Sequence, residues 1–188
     1  MSPVHRFVLT GAPGSGKSAI LRQLEIDGVA VVEEAATDVI ALNQARGIDA
    51  PWTEPGFTDA IASLQRRRRL AADRHDGPVV FDRSPICTYA LALHLGHRVG
   101  RALSAELDRI RDAQIYARRV FLVEGQGFIT ATAARRITQP EAEQFEQRHV
   151  EVYRSLGYDL ITIERGPLET RVSQVRALIA QASQSPDT

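Results

Sequence analysis

Apolar residues along the chain follow two alternating patterns. Five short uninterrupted runs, Phe7–Thr10, Val29–Val32, Val79–Phe81, Val120–Val123 and Leu160–Ile163, have the length of buried strands. Between them lie longer segments in which apolar residues recur every three or four positions. Helices are expected over Ser18–Leu24, Ala35–Ala45, Phe57–His75 and Ser104–Arg118, the last resting on Leu107, Ile110 and Ala117. Thr138, Pro140 and Glu141 combine a capping box with a proline in a first turn, so another helix begins there. Its stripe of Phe145, His149 and Val152 stops at Gly157. A last helix spans about Glu169–Ala182, with Val172, Val175, Leu178 and Ile179 on one side. Strands that are apolar throughout and separated by helices belong in a parallel sheet covered on both faces, which makes the class α/β. Such sheets are wound by right-handed crossovers and bind ligands at the carboxyl ends of their strands.

At 188 residues the chain is expected to form one domain over 1–182, followed by a frayed polar tail at 183–188. Asn43–Gly56, which holds Trp52, and Gly125–Ile137 show no periodicity. Long loops in a domain of this size tend to be functional, and the second is expected to act as a lid over about 125–138. Asn43–Gly56 and about Cys87–Gly100 are expected to be recognition loops whose residues specify no particular acceptor. A 44% hydrophobic and 24% charged composition excludes disorder and fibre. Lys and Arg total 23 and so do Asp and Glu, so no net charge draws the molecule to nucleic acid or to an anionic membrane. Any anion site must therefore be local. The single Cys87 permits no intrachain disulfide and no cysteine-rich zinc site, and suits buried filler in a cytoplasmic protein. No window is apolar enough for a membrane helix.

Directly after the first strand stands Gly11-Ala12-Pro13-Gly14-Ser15-Gly16-Lys17-Ser18, a full match to the P-loop pattern G-x-x-x-x-G-K-[ST]. Its glycines let successive N–H groups turn inward onto phosphate oxygens, and the helix that follows adds its positive end. Lys17 is expected on the β- and γ-phosphates of ATP and the Ser18 hydroxyl on Mg²⁺. Of the 23 basic residues Lys17 is the only lysine, placed where a compact, flexible ammonium is needed. A dinucleotide fingerprint, Gly14-x-Gly16-x-x-Ala19 with Glu33 and Glu34 near the second strand end, overlaps the same loop. Gly14 stands four positions beyond Thr10, however, whereas that fingerprint sets its glycines at the strand end.

Other charged residues gather at strand ends. Asp82 closes the third strand and is the candidate second metal ligand, with Arg83 placed to neutralise a phosphate or orient an acceptor; a capping Asp82 paired with Arg83 is the alternative. Glu33 and Glu34 follow the second strand, where alternation sends one toward the cleft and one away. Glu33 is the candidate base, and an acidic turn opening the next helix is the alternative. Arg135 and Arg136, in the second long loop, suit a flap that arrives on closure to stabilise transferred charge. Glu124 lies at the ligand edge without an assignable role. Arg66–Arg69 reads as a solvated helix face with an Arg69–Asp73 pair, Trp52 reads as a loop anchor, and the five histidines show no metal-ligand spacing.

The order of P-loop, VVEEAATDVI (Val31–Ile40), VVFDRSP (Val79–Pro85), an arginine-bearing lid and YRSLGYDLITIE (Tyr153–Glu164) resembles the AAA-domain family of small P-loop ATPases and kinases. That family is related to nicotinamide riboside kinase domains and is similar to deoxynucleoside kinases. The resemblance implies a three-layer P-loop fold with a five-stranded parallel core, ATP with Mg²⁺, and an acceptor pocket between the Glu33/Glu34 turn and Asp82-Arg83. It makes Glu33 the acid at the second strand end and Asp82-Arg83-Ser84 the counterpart of a Glu-Arg-Ser motif, one methylene shorter in its acid. The function so implied is transfer of the ATP γ-phosphate to a nucleoside- or riboside-like small molecule. The alternative is a nucleotide-regulated binding protein or slow ATPase without such an acceptor.

Overall fold

The computed structural model describes residues 6–125 and 138–184. Five strands, β1 (Arg6–Thr10), β2 (Ala30–Val32), β3 (Val79–Asp82), β4 (Arg119–Val123) and β5 (Asp159–Ile163), form one sheet in the order β2-β3-β1-β4-β5, and every neighbouring pair is parallel. Among the described residues seven α-helices connect or flank them: α1 (Lys17–Ile26), α2 (Ala35–Ala45), α3 (Phe57–Ala72), α4 (Pro85–His94), α5 (Arg101–Ala113), α6 (Gln139–Ser155) and α7 (Leu168–Gln184). Among the described residues no helix is long and apolar enough to cross a membrane.

Alternation along the strands builds the three layers. Phe7, Leu9, Val80, Phe121 and Val123 point to one face, where Ile20 and Leu24 of α1 and Val172, Val175 and Ile179 of α7 cover them. The residues between them, Val8, Val79, Phe81 and Val120, point to the opposite face and meet Ile86 and Ala90 of α4, Ile110 of α5 and Val152 and Tyr153 of α6. A third cluster, Ala35, Val39, Phe57 and Ile61 with Trp52, Leu91 and Leu95 against it, joins α2, α3 and α4 beyond the sheet edge.

Several element boundaries differ from those expected. The expected helix Ser104–Arg118 starts at Arg101 and ends at Ala113, because Gln114 takes a left-handed conformation (φ 45°) and Ala117 N–H bonds to the Arg6 carbonyl. The expected recognition loop over Cys87–Gly100 is largely helix α4: Ser84 caps it by accepting from Ile86 N–H at 3.2 Å, with Pro85 in its first turn. The Asn43–Gly56 stretch contains the end of α2 and a 3₁₀ turn, Pro51–Thr53, that carries Trp52. The capping box at Thr138 and Glu141 is present.

Strand order brings three separate sequence segments to one place. Leu9 of β1 pairs with Asp82 of β3, and Val32 of β2 with Phe81, so the P-loop, Asp82-Arg83 and Glu33-Glu34 leave neighbouring strands at the same edge. Arg83 N–H bonds to the Leu9 carbonyl at 3.0 Å and prolongs that pairing by one residue. Gly11 fixes the exit from β1. Its φ is +132° and a Cβ there would stand 2.4 Å from the Val123 carbonyl oxygen. Gly11→Ala is therefore expected to destabilise the fold by about 3 kcal/mol or more, read as a lowered urea midpoint at unchanged slope.

Candidate active site

The P-loop closes around its own lysine. Lys17 is buried, and Nζ donates to the carbonyls of Gly11 (3.1 Å) and Ala12 (2.8 Å) and to Ser15 Oγ (3.1 Å). Burial first, and the charge of Arg83 second, lower its pKa to about 8 against the opposing pull of Asp82 and Glu34. Gly14 and Gly16 have φ of 83° and 90°, and Gly16 caps α1 with no side chain bonded to that helix end. Uncapped N–H groups beside a buried ammonium make a seat for an anion.

Behind this seat Ser18 Oγ donates to Asp82 Oδ2 at 3.0 Å. The other carboxylate oxygen, Oδ1, is buried without a hydrogen-bond partner among the described residues. Burial, reinforced by Glu34, raises the Asp82 pKa above its ordinary value although Lys17 and Arg83 oppose the rise. An orphaned buried oxygen next to a hydroxyl is a donor set that fits Mg²⁺, which takes one carboxylate and completes its shell with water and phosphate. Among the described residues no group of three or more His, Cys, Asp or Glu is placed to hold a metal ion.

Arg83 has a positive φ of 70°, which in a residue with a long side chain is imposed by the surroundings. Its Nε donates to Glu34 Oε1 at 2.6 Å and its Nη2 to the Gly11 carbonyl at 3.2 Å. Glu34 also accepts from Thr37 Oγ1 at 2.7 Å. Burial alone would raise the Glu34 pKa, but Arg83, Thr37 and Lys17 outweigh it and hold the carboxyl below its ordinary value. Of the acid pair at the end of β2, Glu33 is exposed and Glu34 lines the cavity beside the P-loop. Arg68 sets this turn: its Nη1 donates to the carbonyls of both Glu33 and Glu34, and its Nη2 pairs with Asp38.

The arginine run is only half a solvated face: Arg66 and Arg67 are exposed, Arg68 and Arg69 are not. Besides Arg68 at the turn, Arg69 is buried, pairs with Asp73 as the spacing implied, and stands 3.7 Å from the buried Glu106, which Arg109 also holds at 2.6 Å. Glu124 uses its carbonyl to accept from Arg171 Nη2 at 2.9 Å, and the same guanidinium packs under Gly16. Arg135 and Arg136 lie outside the described residues.

A cavity of about 730 Å³ opens from the P-loop across Asp82 and Arg83. Its far walls are apolar, formed by Ile40, Trp52, Phe57, Ile61, Leu91 and Leu95. Trp52 thus anchors its turn and faces the cavity at once. Polar groups among the lining include Gln65, whose Oε1 accepts from Thr88 Oγ1 at 2.8 Å, and His94. Gln65 was missed in the sequence; the signal that could have found it is an amide interrupting the apolar Phe57–Ile61 stripe of α3. Cys87 lines the same cavity and is buried as expected, its Sγ 3.4 Å from Thr10 Oγ1.

A three-layer α/β sandwich with this strand order, a P-loop after β1 and an acid closing β3 has the P-loop kinase fold. Residues 6–171 match the family described as AAA domain, and the chain belongs to that family. No curated protein matches it. Among solved structures it is similar to deoxyadenosine kinase from M. mycoides with the products dCMP and a flexible dCDP bound, at 16% identity and TM-score 0.63, covering 94% of this chain and 99% of that one. The same kinase with bound dCTP gives 13% identity and TM-score 0.61 over 94% and 99% of the two chains. With bound dATP it gives 12% identity and TM-score 0.55 over 93% and 99%.

Proposed function

We propose that the protein is a kinase that transfers the γ-phosphate of ATP to a hydroxyl of a nucleoside- or riboside-like small molecule. The observation that carries this reading is the cavity: a half-open space of about 730 Å³ with largely apolar walls continues from the phosphate loop and is bordered by Glu34, Asp82 and Arg83. A largely apolar extension of the phosphate site suits a small-molecule acceptor better than hydrolysis or sensing of ATP alone. Gln65 supports a ligand with hydrogen-bonding atoms on a planar edge, since Thr88 already holds its carbonyl and leaves the amide N–H groups free to donate inward.

In this reading the loop amides and Lys17 take the β- and γ-phosphates, and Ser18 and Asp82 hold Mg²⁺, which when bound neutralises charge on the phosphate oxygens. Glu34, ionised because Arg83 and Lys17 keep it so, accepts the proton of the acceptor hydroxyl. The hydroxyl oxygen bonds to the γ-phosphorus as the bond to the β–γ bridging oxygen breaks, and ADP leaves with that electron pair. Arg83 faces the charge that spreads over the transferred group.

The test is acceptor-dependent ADP release with a panel of nucleosides and ribosides, paired with mass spectrometry. A faster ADP rate with a product heavier by one phosphoryl group is expected. An unchanged rate without product refutes transfer to those acceptors and favours a slow ATPase.

Lys17 adds a pH signature. In the free protein its pKa of about 8 leaves it half neutral at that pH, whereas bound phosphate raises the pKa and draws a proton in. Binding of ATP in EDTA at pH 8 should take up about half a proton, and affinity should fall as pH rises further. Calorimetry in two buffers of different ionisation heat reads the uptake directly.

A further inference from the structure

One face of α6 holds a residue for which the reaction above has no use. His149 is completely buried, at 0% exposure, and sits one turn beyond Phe145. Its Nδ1 lies 2.7 Å from the Phe145 carbonyl oxygen and its Nε2 lies 3.0 Å from Arg83 Nη1. A carbonyl oxygen only accepts and a guanidinium N–H only donates, so these partners leave the ring one arrangement: a proton on Nδ1 and a lone pair on Nε2 aimed at Arg83.

That contact completes the seating of the arginine. Each nitrogen of the Arg83 guanidinium is taken by an acceptor from a different element: Nε by Glu34 at the head of α2, Nη2 by the Gly11 carbonyl of the P-loop, Nη1 by His149 of α6. The Phe145 ring, centred 5.8 Å from the guanidinium carbon, adds a cation–π contact from the same helix. Two of the three acceptors belong to parts of the site that handle phosphate and acceptor. His149 has no such duty. Glu146, three residues earlier, accepts from Ala12 N–H at 2.9 Å, and Tyr153, four residues later, meets Ser84 Oγ at 2.7 Å. The spacing puts all three on one helix face, which therefore grips the P-loop and the Asp82-Arg83-Ser84 segment together.

We propose that His149 is a positioning residue for phosphoryl transfer: by accepting from Nη1 it fixes the plane of the Arg83 guanidinium, so that the arginine bridges the P-loop and Glu34. Its effect on turnover rests on the kinase reading; its effect on Arg83 does not. The ring is not among the residues that line the cavity.

The experiment compares His149→Phe, which keeps bulk and loses the acceptor, with His149→Gln, whose amide oxygen can accept near the position of Nε2. His149→Phe should lower kcat by about tenfold to a hundredfold, the size of a lost bond to a charged group, with little change in the KM for ATP. His149→Gln should restore most of the loss, and in an Arg83→Gln background His149→Phe should cost nothing further. Equal losses in the Phe and Gln variants, or losses that multiply with Arg83→Gln, overturn the proposal. If the wild type transfers no phosphate, the kinase reading falls and crystal structures decide the positioning: the guanidinium should leave the Gly11 carbonyl in His149→Phe and stay in His149→Gln. An unmoved Arg83 in the Phe variant overturns it. Should the Phe variant not fold, ¹⁵N spectra of wild-type histidine must show a protonated Nδ1 and a free Nε2, and the opposite tautomer overturns it.

Discussion

Lys17→Met should weaken ATP binding by at least about a thousandfold while the protein stays folded. In the free loop the ammonium is held by two carbonyls and a hydroxyl, neutral acceptors that a triphosphate replaces with charged ones. Two charge-assisted bonds at about 2 kcal/mol each give about 4 kcal/mol, which is the stated factor. The fold survives because two effects oppose one another. A lysine whose pKa falls to about 8 on burial costs the native state about 3 kcal/mol, which methionine removes. The Gly11 and Ala12 carbonyls lose a donor at about 1–3 kcal/mol, so net stability should stay within about 2 kcal/mol of wild type. Wild-type stability should also rise between pH 8 and 10.5, where the unfolded chain binds more protons at this lysine than the native one, and the variant should lack that rise. Urea titrations at two pH values check both statements.

Glu34→Gln should lower kcat by about 10²–10⁴, the range of a lost general base, and Glu33→Gln should leave it unchanged. The two residues are adjacent and chemically identical, so only placement separates them. Glu34 bonds Arg83 and borders the cavity, whereas Glu33 points to solvent and Arg68 holds only its carbonyl. Steady-state kinetics on the two variants decide the matter. A large loss in Glu33→Gln would reverse the assignment.

This pair also shows where sequence reading stops. The strands, the class and the P-loop were legible because each rests on local rules: continuous apolar runs, glycines that permit positive φ, a lysine beside a helix start. Alternation said that one of the two acids faces the cleft. Which one depends on Arg68 and Arg83, set 34 and 49 residues further along the chain than Glu34. The same limit explains the arginine run, whose neighbours Asp38 and Glu106 come from other helices. His149 was visible as a polar residue in an apolar stripe, a signal that something must satisfy its ring. Glu146 gave no signal, because one more acid on an exposed-looking helix is ordinary. α4 escaped as a helix because its apolar residues run nearly all round, as they do in a segment buried among α3, α5 and α6.

Titration calorimetry of the wild-type protein with ATP and Mg²⁺, repeated with Lys17→Met and with a nicotinamide dinucleotide, tests the central claim most directly. The account predicts saturable one-to-one binding of ATP that the variant loses, with no competition from the dinucleotide. A folded protein that gives no heat with ATP, or that binds it equally well without Lys17, would contradict the account.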